Sequence, residues 1–453
     1  MFSAAYLWVT IGTCALVFLA AFESLAVTTI MPLVSADLDG AALYALAFAG
    51  PLASGVVGMV VAGNWCDRNG PVAPLLTSVA VFIAGLIIAG TASDMGVLVV
   101  GRLVQGLGSG AMNVALYVVV ARIYPPALHP KIFAGFAAAW VVPSLIGPFA
   151  AGVVAEATSW HWVFLGVVGL ILVAMLMVVP ALRMLVGGPR PSNRPRWAVV
   201  PIVWALLAAA AVLGLNLSAQ LDGPLVGVVA GAAIVIALVA VRTLVPAGTL
   251  SAVRGLPTVI LIRGLIAAAF FGAEVYIPYL LTDRYDFSPS FAGLALTGAA
   301  LTWASASWLQ GRLGDRLSHV RAMVIGSVLV LASILIALVT TAAALSPAIL
   351  IAGWLLGGGG MGLMYPRLSV LTLSYSSEHD QGFNSSALSI SDSLGGALAL
   401  ASTGIVFASL VGLGGAWPFA GCFALAVVIA CGALAVASRV GSGERASGTP
   451  TAN

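Results

Sequence analysis

The stretch Gly63-Asn-Trp-Cys-Asp-Arg-Asn-Gly70 returns in altered form as Gly311-Arg-Leu-Gly-Asp-Arg-Leu-Ser318. Each copy sets a glycine, three variable residues, then Asp and Arg between long apolar runs, in a chain with only 7% charged residues. A polar punctuation mark used twice divides the chain into two related halves. Gly63 and Gly70 allow close backbone approach, and Asp67 and Arg68 supply charge where the chain meets water. Either copy alone reads equally as an ordinary polar turn or a working loop; two copies at matching places favour the second. Each is expected to form a tight hairpin between membrane helices.

Composition fixes the class independently. Hydrophobic residues make up 61% of 453, and the mean hydropathy is +1.12. The solvent for most of such a chain is lipid, so the expected fold is an all-α polytopic membrane protein. A net charge of +3 with no basic run interleaved with aromatics excludes a nucleic-acid partner. Cys14, Cys66, Cys422 and Cys431 form no CxxC pair and read as small core residues. His129, His161, His319 and His379 fall in expected loops away from metal-ligand spacing, so no metal is expected. A phosphate-binding glycine loop is also missing, which argues against ATP as the energy source. Gly108-Ser109-Gly110 without an intramembrane His does not read as a nucleophile, so the chain is not read as an enzyme. Its basic residues are arginines except for Lys131, and with abundant Ala and Gly this points to a GC-rich bacterial genome.

A span needs about 20 apolar residues. The first runs from about Tyr6 to Thr29, stops at Pro32, lacks a basic leader and reads as a retained helix. Five more complete a bundle within residues 1–182, and residues 183–197, rich in Pro, Gly and Arg, form a cytoplasmic linker. Two further apolar runs and a polar stretch occupy 198–257, a second six-helix bundle occupies 258–437, and 438–453 is a polar, disordered cytoplasmic tail. The expectation is fourteen spans: two six-helix bundles plus a central inserted helix pair. With both termini inside, the inner loops collect Arg68, Arg122, Lys131, Arg183, Arg242, Arg254, Arg312, Arg316 and Arg321, whereas the outer loops hold only Arg284.

Charges left inside spans are the informative set: Glu23, Arg102, Arg263, Glu274, Arg367 and Asp392. Each costs about 2.5 to 3.5 kcal/mol at a helix centre on insertion scales, so each should face a cavity or a partner. Arg263 lies close enough to its inner helix end to snorkel. By helical rise, Glu23, Arg102 and Glu274 fall in the outer half and Arg367 and Asp392 in the inner half, giving two expected polar clusters. A carboxyl that moves between dry and wet surroundings, or towards and away from an arginine, takes up and releases protons. The alternative is a permanent structural ion pair. Glu23, midway along a charge-free helix, is the first choice for proton coupling, with Arg102 tuning it.

The two islands resemble the loop signature of the major facilitator superfamily, G-x-x-x-D-R-x-G followed by basic residues, which helps to close the cytoplasmic side in that family. Pro71-Val72 replaces the basic pair in the first copy, and Ser318 the last Gly in the second. The resemblance assigns gating to Gly63, Asp67, Arg68, Gly70, Gly311, Asp315 and Arg316. Arg102, Gln105 and Gly106, with Gly110 beyond, resemble the family's R-x-x-q-G motif, whose Arg is implicated in proton transfer. The second half has no Arg near Trp354. Pro143, Gly147, Pro148 and Gly152 resemble the proline–glycine motif of antiporters, and also read as a packing bend. Glu23 to Pro32 resembles the first-helix signature of the fourteen-helix drug:proton antiporter branch, and no E-x-x-E-R of the peptide-transporter branch is present.

The resemblance implies a monomeric exporter in a bacterial inner membrane that needs no cofactor beyond the proton gradient, with membrane lipids, protons and a small lipophilic, cationic or drug-like substrate as its partners. The first, fourth, ninth and twelfth spans would line the site, with Phe22, Asn113, Trp140, Phe271, Tyr276 and Tyr365 as cavity contacts. A lipid or metabolite carrier of the same fold is the alternative; a non-transporting receptor or scaffold would need longer loops than these.

Overall fold

A computed structural model describes residues 7–125, 129–186, 197, 199–218, 225–313, 316–376 and 381–441. The described residues are helical and contain no strand. Helices α1 (Leu7–Asp37), α2 (Tyr44–Asn69), α3 (Val72–Gly90), α4 (Met95–Ile123), α5 (His129–Ala157) and α6 (His161–Val186) make the amino-terminal bundle. Helices α7 (Val199–Ser218) and α8 (Leu225–Leu244) pair with each other and pack against α2 and α14. The carboxy-terminal bundle comprises α9 (Leu256–Glu274), α10 (Tyr276–Tyr285), α11 (Pro289–Leu313), α12 (His319–Ala342), α13 (Pro347–Ser374), α14 (Gln381–Leu410) and α15 (Trp417–Val436). Counting α9 and α10 as one broken span gives fourteen, and eleven of the spans are long and apolar enough to cross a membrane among the described residues.

The break between α9 and α10 has a local cause. Pro278 has no N–H to offer the carbonyl of Glu274 four residues earlier, and its ring crowds that carbonyl. The helix stops at Glu274 and restarts at Tyr276. Hydropathy predicts one uninterrupted span here, because a proline inside an apolar run changes the backbone and not the transfer energy.

Elsewhere the bundles cope with proline by borrowing donors. Pro51 in α2 leaves the Ala47 carbonyl without its helical partner, and Arg102 Nε of α4 donates to it at 3.1 Å. Pro366 in α13 does the same to Gly362, whose carbonyl accepts from Ser307 Oγ of α11 at 3.1 Å.

The two halves repeat at the level of contacts. Gly106 and Gly110 of α4 lie against the carbonyls of Pro51 and Gly55 of α2, so that a Cβ at either would collide with backbone. Ser54 Oγ of α2 donates to Leu103 O of α4 at 2.8 Å. In the second half Gly358 and Gly362 of α13 meet the carbonyls of Ala299 and Trp303 of α11 in the same way, and Thr302 Oγ1 donates to Leu355 O at 2.7 Å. Small residues thus bring backbones together where no hydrophobic force separates helix from lipid.

One end of the helices carries Asp37, Asp39, Asp94, Glu156, Asp283 and Asp286; the other carries Arg68, Arg122, Arg242, Arg254, Arg312, Arg316 and Arg321. At the aspartate end the bundles are joined. Tyr44 Oη of α2 donates to Val275 O at 2.9 Å, and Ser290 N of α11 donates to Glu156 Oε1 of α5 at 2.9 Å. A Cβ on Gly152 would lie 2.7 Å from Ser290 Cα, and one on Gly293 would lie 2.7 Å from Pro148 O, so α5 and α11 meet backbone to backbone. On the opposite flank Gly404 of α14 packs on Ala45 of α2.

Candidate functional site

The first island is not a hairpin loop. Helix α2 continues through it to Asn69, with Asn64 Nδ2 bonded to Val60 O at 2.9 Å, and the turn is confined to Gly70 and Pro71. Nothing between Gly63 and Asn69 stops a helix, because polarity alone does not terminate one; Gly70 does, at φ +82° and ψ 171°, a conformation open essentially to glycine. Gly70 also leaves room for Arg122, whose guanidinium stands within electrostatic range of Asp67, while Arg68 lies half-buried beside it. In the second island α11 extends to Leu313 and carries Gly311 in its last turn, Ser318 caps α12 by accepting from Arg321 N, Arg316 is exposed, and Asp315 lies outside the described residues.

Within the amino-terminal bundle Glu23 of α1 and Arg102 of α4 form a buried ion pair, 4% and 5% exposed, through Arg102 Nη1 and Glu23 Oε1. Arg102 is held from two further sides, by Ala47 O and by Gln105 Oε1 at 2.7 Å. The glycines around Gln105 bring α2 and α3 against α4, so the pair sits in a dry, fixed frame. In the second half Trp354 occupies the place of Arg102; it is fully buried and stacked on Phe270 at 4.8 Å. One bundle carries an ion pair where the other carries an aromatic stack.

Glu274 does not join that pair. It ends α9 in the other bundle, half-buried, with no hydrogen-bond or ion-pair partner among the described residues. Matching depth along two helices does not put them on facing sides, and the expected outer cluster of three is a cluster of two.

The inner cluster is also rearranged. Asp392 of α14 pairs with Arg263 of α9, not with Arg367: Arg263 Nε donates to Asp392 Oδ1 at 2.8 Å and Nη2 to Oδ2 at 3.4 Å. Arg263 therefore does not snorkel; a carboxylate within reach outweighs the climb to the interface. Tyr365 Oη of α13 donates to Asp392 Oδ1 at 2.7 Å while its ring lies 3.5 Å beneath the Arg263 guanidinium. Arg367 turns the other way, donating to Gln310 Oε1 at 2.9 Å and to Leu317 O at 2.6 Å, and so ties α13 to the turn between α11 and α12. Tyr117 of α4, exposed and stacked on Phe136, stands within electrostatic range of Arg263 from the opposite bundle. Sequence reading missed Tyr117 and Arg263 as site residues; an arginine two turns into an apolar helix was the one available signal.

Of the expected cavity contacts, Phe271 and Tyr365 are half-buried beside Trp303, with ring centroids 6.5 Å and 5.0 Å from the indole. Phe22 packs against Gly147, Asn113 is half-buried on α4, and Trp140 is 48% exposed. Tyr276 is not a cavity residue. It is 1% exposed and stacked on Phe407 at the aspartate end, against Tyr44. Pro143, Gly147, Pro148 and Gly152 are buried along α5, and the last two face α11.

The family model of the Major Facilitator Superfamily matches residues 13–273 and 259–451. The chain belongs to the Major Facilitator Superfamily. Among relatives within this superfamily, it is 29% identical over 403 residues to the probable multidrug-efflux transporter Rv1634 of Mycobacterium tuberculosis, covering 83% of each chain. It is 22% identical to the multidrug efflux pump SdrM of Staphylococcus aureus, covering 88% of this chain and 89% of that one. A solved POT family transporter in complex with 5-aminolevulinic acid superposes with a TM-score of 0.70 at 14% identity over 96% of both chains, which shows a shared fold.

Proposed function

We propose that this multi-pass membrane protein is a proton-coupled antiporter that exports lipophilic small molecules or drugs by alternating access. The observation that carries the reading is the buried Glu23–Arg102 pair. A carboxylate inside a membrane helix is retained at a cost of about 2.5 to 3.5 kcal/mol, and its arginine partner has two further acceptors. Held in place by Ala47 O and Gln105, Arg102 keeps its position when Glu23 takes a proton and lets go. Breakage of that bond frees α1 relative to α4, which is the event that a transport cycle couples to rocking of the bundles. The relatives named as multidrug efflux proteins support the drug-export reading.

In this reading the arginine end is cytoplasmic, both termini lie there, and the membrane is the bacterial inner membrane. The joined aspartate end is then the outer gate in its closed state. Asp67, Arg68 and Arg122 close the inner side in the opposite state.

The test is substrate-induced proton movement in proteoliposomes under an imposed pH gradient, screened over lipophilic cations and lipids, with Glu23→Gln alongside. Substrate-dependent proton flux in the wild type and its loss in a folded Glu23→Gln protein support the reading. Substrate movement without proton flux overturns it in favour of a facilitator or lipid carrier.

A further inference from the structure

Residues 246–255, which join α8 to α9 at the arginine end, fold into a compact knot rather than an open loop. The carbonyl of Gly248, a residue at φ +84°, accepts from Ser251 N at 3.2 Å and from Val253 N at 3.1 Å. Thr249 N and Oγ1 both turn back to Pro246 O, and Ala252 N donates to Thr249 O at 3.0 Å. Gly255 N donates to Arg439 O at 3.1 Å, which fixes the knot to the end of the carboxy-terminal bundle. With these donors satisfied inside the protein, the knot is suited to a medium that offers few hydrogen bonds. It presents Leu250 and Val253 outward, 43% and 52% exposed.

Three exposed arginines stand at the same place. Arg254 follows Val253 directly, Arg439 Nη1 donates to Ala252 O at 3.4 Å, and Arg242 lies in the last turn of α8. Val235, Leu238, Val239 and Arg242 are exposed and share one face of α8 at helical spacing. The stripe of α8 that faces lipid therefore ends in a guanidinium at the level of the headgroups. No Asp or Glu occurs between Asp222 and Glu274. Arg242 and Arg254 have no hydrogen-bond or ion-pair partner among the described residues.

We propose that residues 246–255, with Arg242, Arg254 and Arg439, form a binding site for an anionic phospholipid of the inner leaflet. The guanidinium groups receive the phosphate headgroup, and Leu250 and Val253 enter the upper acyl region. A bias of arginines to the inner loops accounts for the positive charge but not for two outward aliphatic side chains among the arginines. The site lies where the inserted helix pair joins the carboxy-terminal bundle, so a bound lipid ties that joint to the membrane surface. The choice of leaflet rests on the cytoplasmic placement of the arginine end; the chemistry of the site is independent of proton coupling.

The experiment titrates phosphatidylglycerol or phosphatidylcholine into the purified full-length protein in detergent micelles and follows retained lipid by native mass spectrometry. The wild type is expected to retain phosphatidylglycerol the more tightly. Arg242→Gln/Arg254→Gln is expected to weaken phosphatidylglycerol roughly tenfold and to leave phosphatidylcholine within about twofold. Arg312→Gln/Arg321→Gln removes the same charge elsewhere at the same end and should change either lipid by no more than about twofold. No preference in the wild type, or equal weakening by the two double variants, overturns the proposal. A readout that needs no variant is labelling of the wild type in nanodiscs by photoactivatable phosphatidylglycerol with a diazirine near its ester. The tryptic peptide of residues 243–254 should carry several-fold more adduct than with the matching phosphatidylcholine. An unlabelled peptide, or equal labelling by both lipids, overturns the site even where the variants fail to fold. Neither measurement involves transport, so failure here leaves the antiport reading standing, and failure of proton exchange leaves this site standing.

Discussion

Arg263 and Asp392 meet at 2.8 Å across 129 positions of sequence, and Tyr365 closes the group by donating to Asp392 while lying under the Arg263 guanidinium. The group joins α9, α13 and α14 within one bundle. Removal of Asp392 leaves a charge and a phenol unmatched, whereas removal of Arg263 leaves the carboxylate with the Tyr365 hydroxyl alone. The side chains are 15% and 25% exposed, so the loss is expected to be about 1 to 3 kcal/mol, below that of a fully buried pair. Asp392→Asn should lower the apparent thermal midpoint in detergent, and Arg263→Gln combined with Asp392→Asn should lower it by less than the two separate effects added together.

Glu23→Gln keeps the shape of the side chain and removes its charge. Exchange of substrate at equal proton concentration on both sides should survive, and uphill export driven by a pH gradient should fall at least tenfold. Glu23→Ala should in addition reduce the yield of folded protein, because Arg102 is then left buried with only neutral acceptors.

Gly152 faces Ser290 with no room for a side chain. Gly152→Leu should force α5 from α11 at the aspartate end and populate the state open on that side. The check is oxidative cross-linking of a Glu156→Cys/Ser290→Cys pair, which should form readily with Gly152 and at a rate several-fold lower with Leu.

Gly70 adopts φ +82° and ψ 171°. Gly70→Ala should cost about 1 to 3 kcal/mol in whichever state retains this turn and should displace Arg122 from Asp67. Thermal stability and export should both fall, and Arg122→Lys should not rescue either.

The architecture was legible because the energy that decides it, transfer of apolar surface out of water, is additive along the chain. Runs of Leu, Val and Ala mark the spans, and the bias of arginines to alternate loops marks the ends. Glu23 with Arg102 was legible too, since a charge in each of two apolar helices of one bundle has few places to go. Helix rotation was not. Depth put Glu274 with Glu23, and Arg367 with Asp392, but the rotation of α9 and α13 about their axes is set by which small residues meet. Gly358 and Gly362 turn one side of α13 into α11, and the sequence does not say which glycine meets which carbonyl. The break at Val275 was likewise hidden, because Pro278 acts on the backbone of Glu274, a residue singled out only for its charge.

Helices α7 and α8 lie along one flank, and α7 touches α2 of one bundle and α14 of the other. The opposite flank, where α5 meets α11, has no such strap among the described residues. A pair of apolar rods bridging one seam works like the spine of a book: the covers part least beside it and most along the free edge. The opening at the aspartate end should therefore be lopsided, wide between α5 and α11 and narrow between α2 and α14, and a bulky substrate would leave by the α5–α11 side.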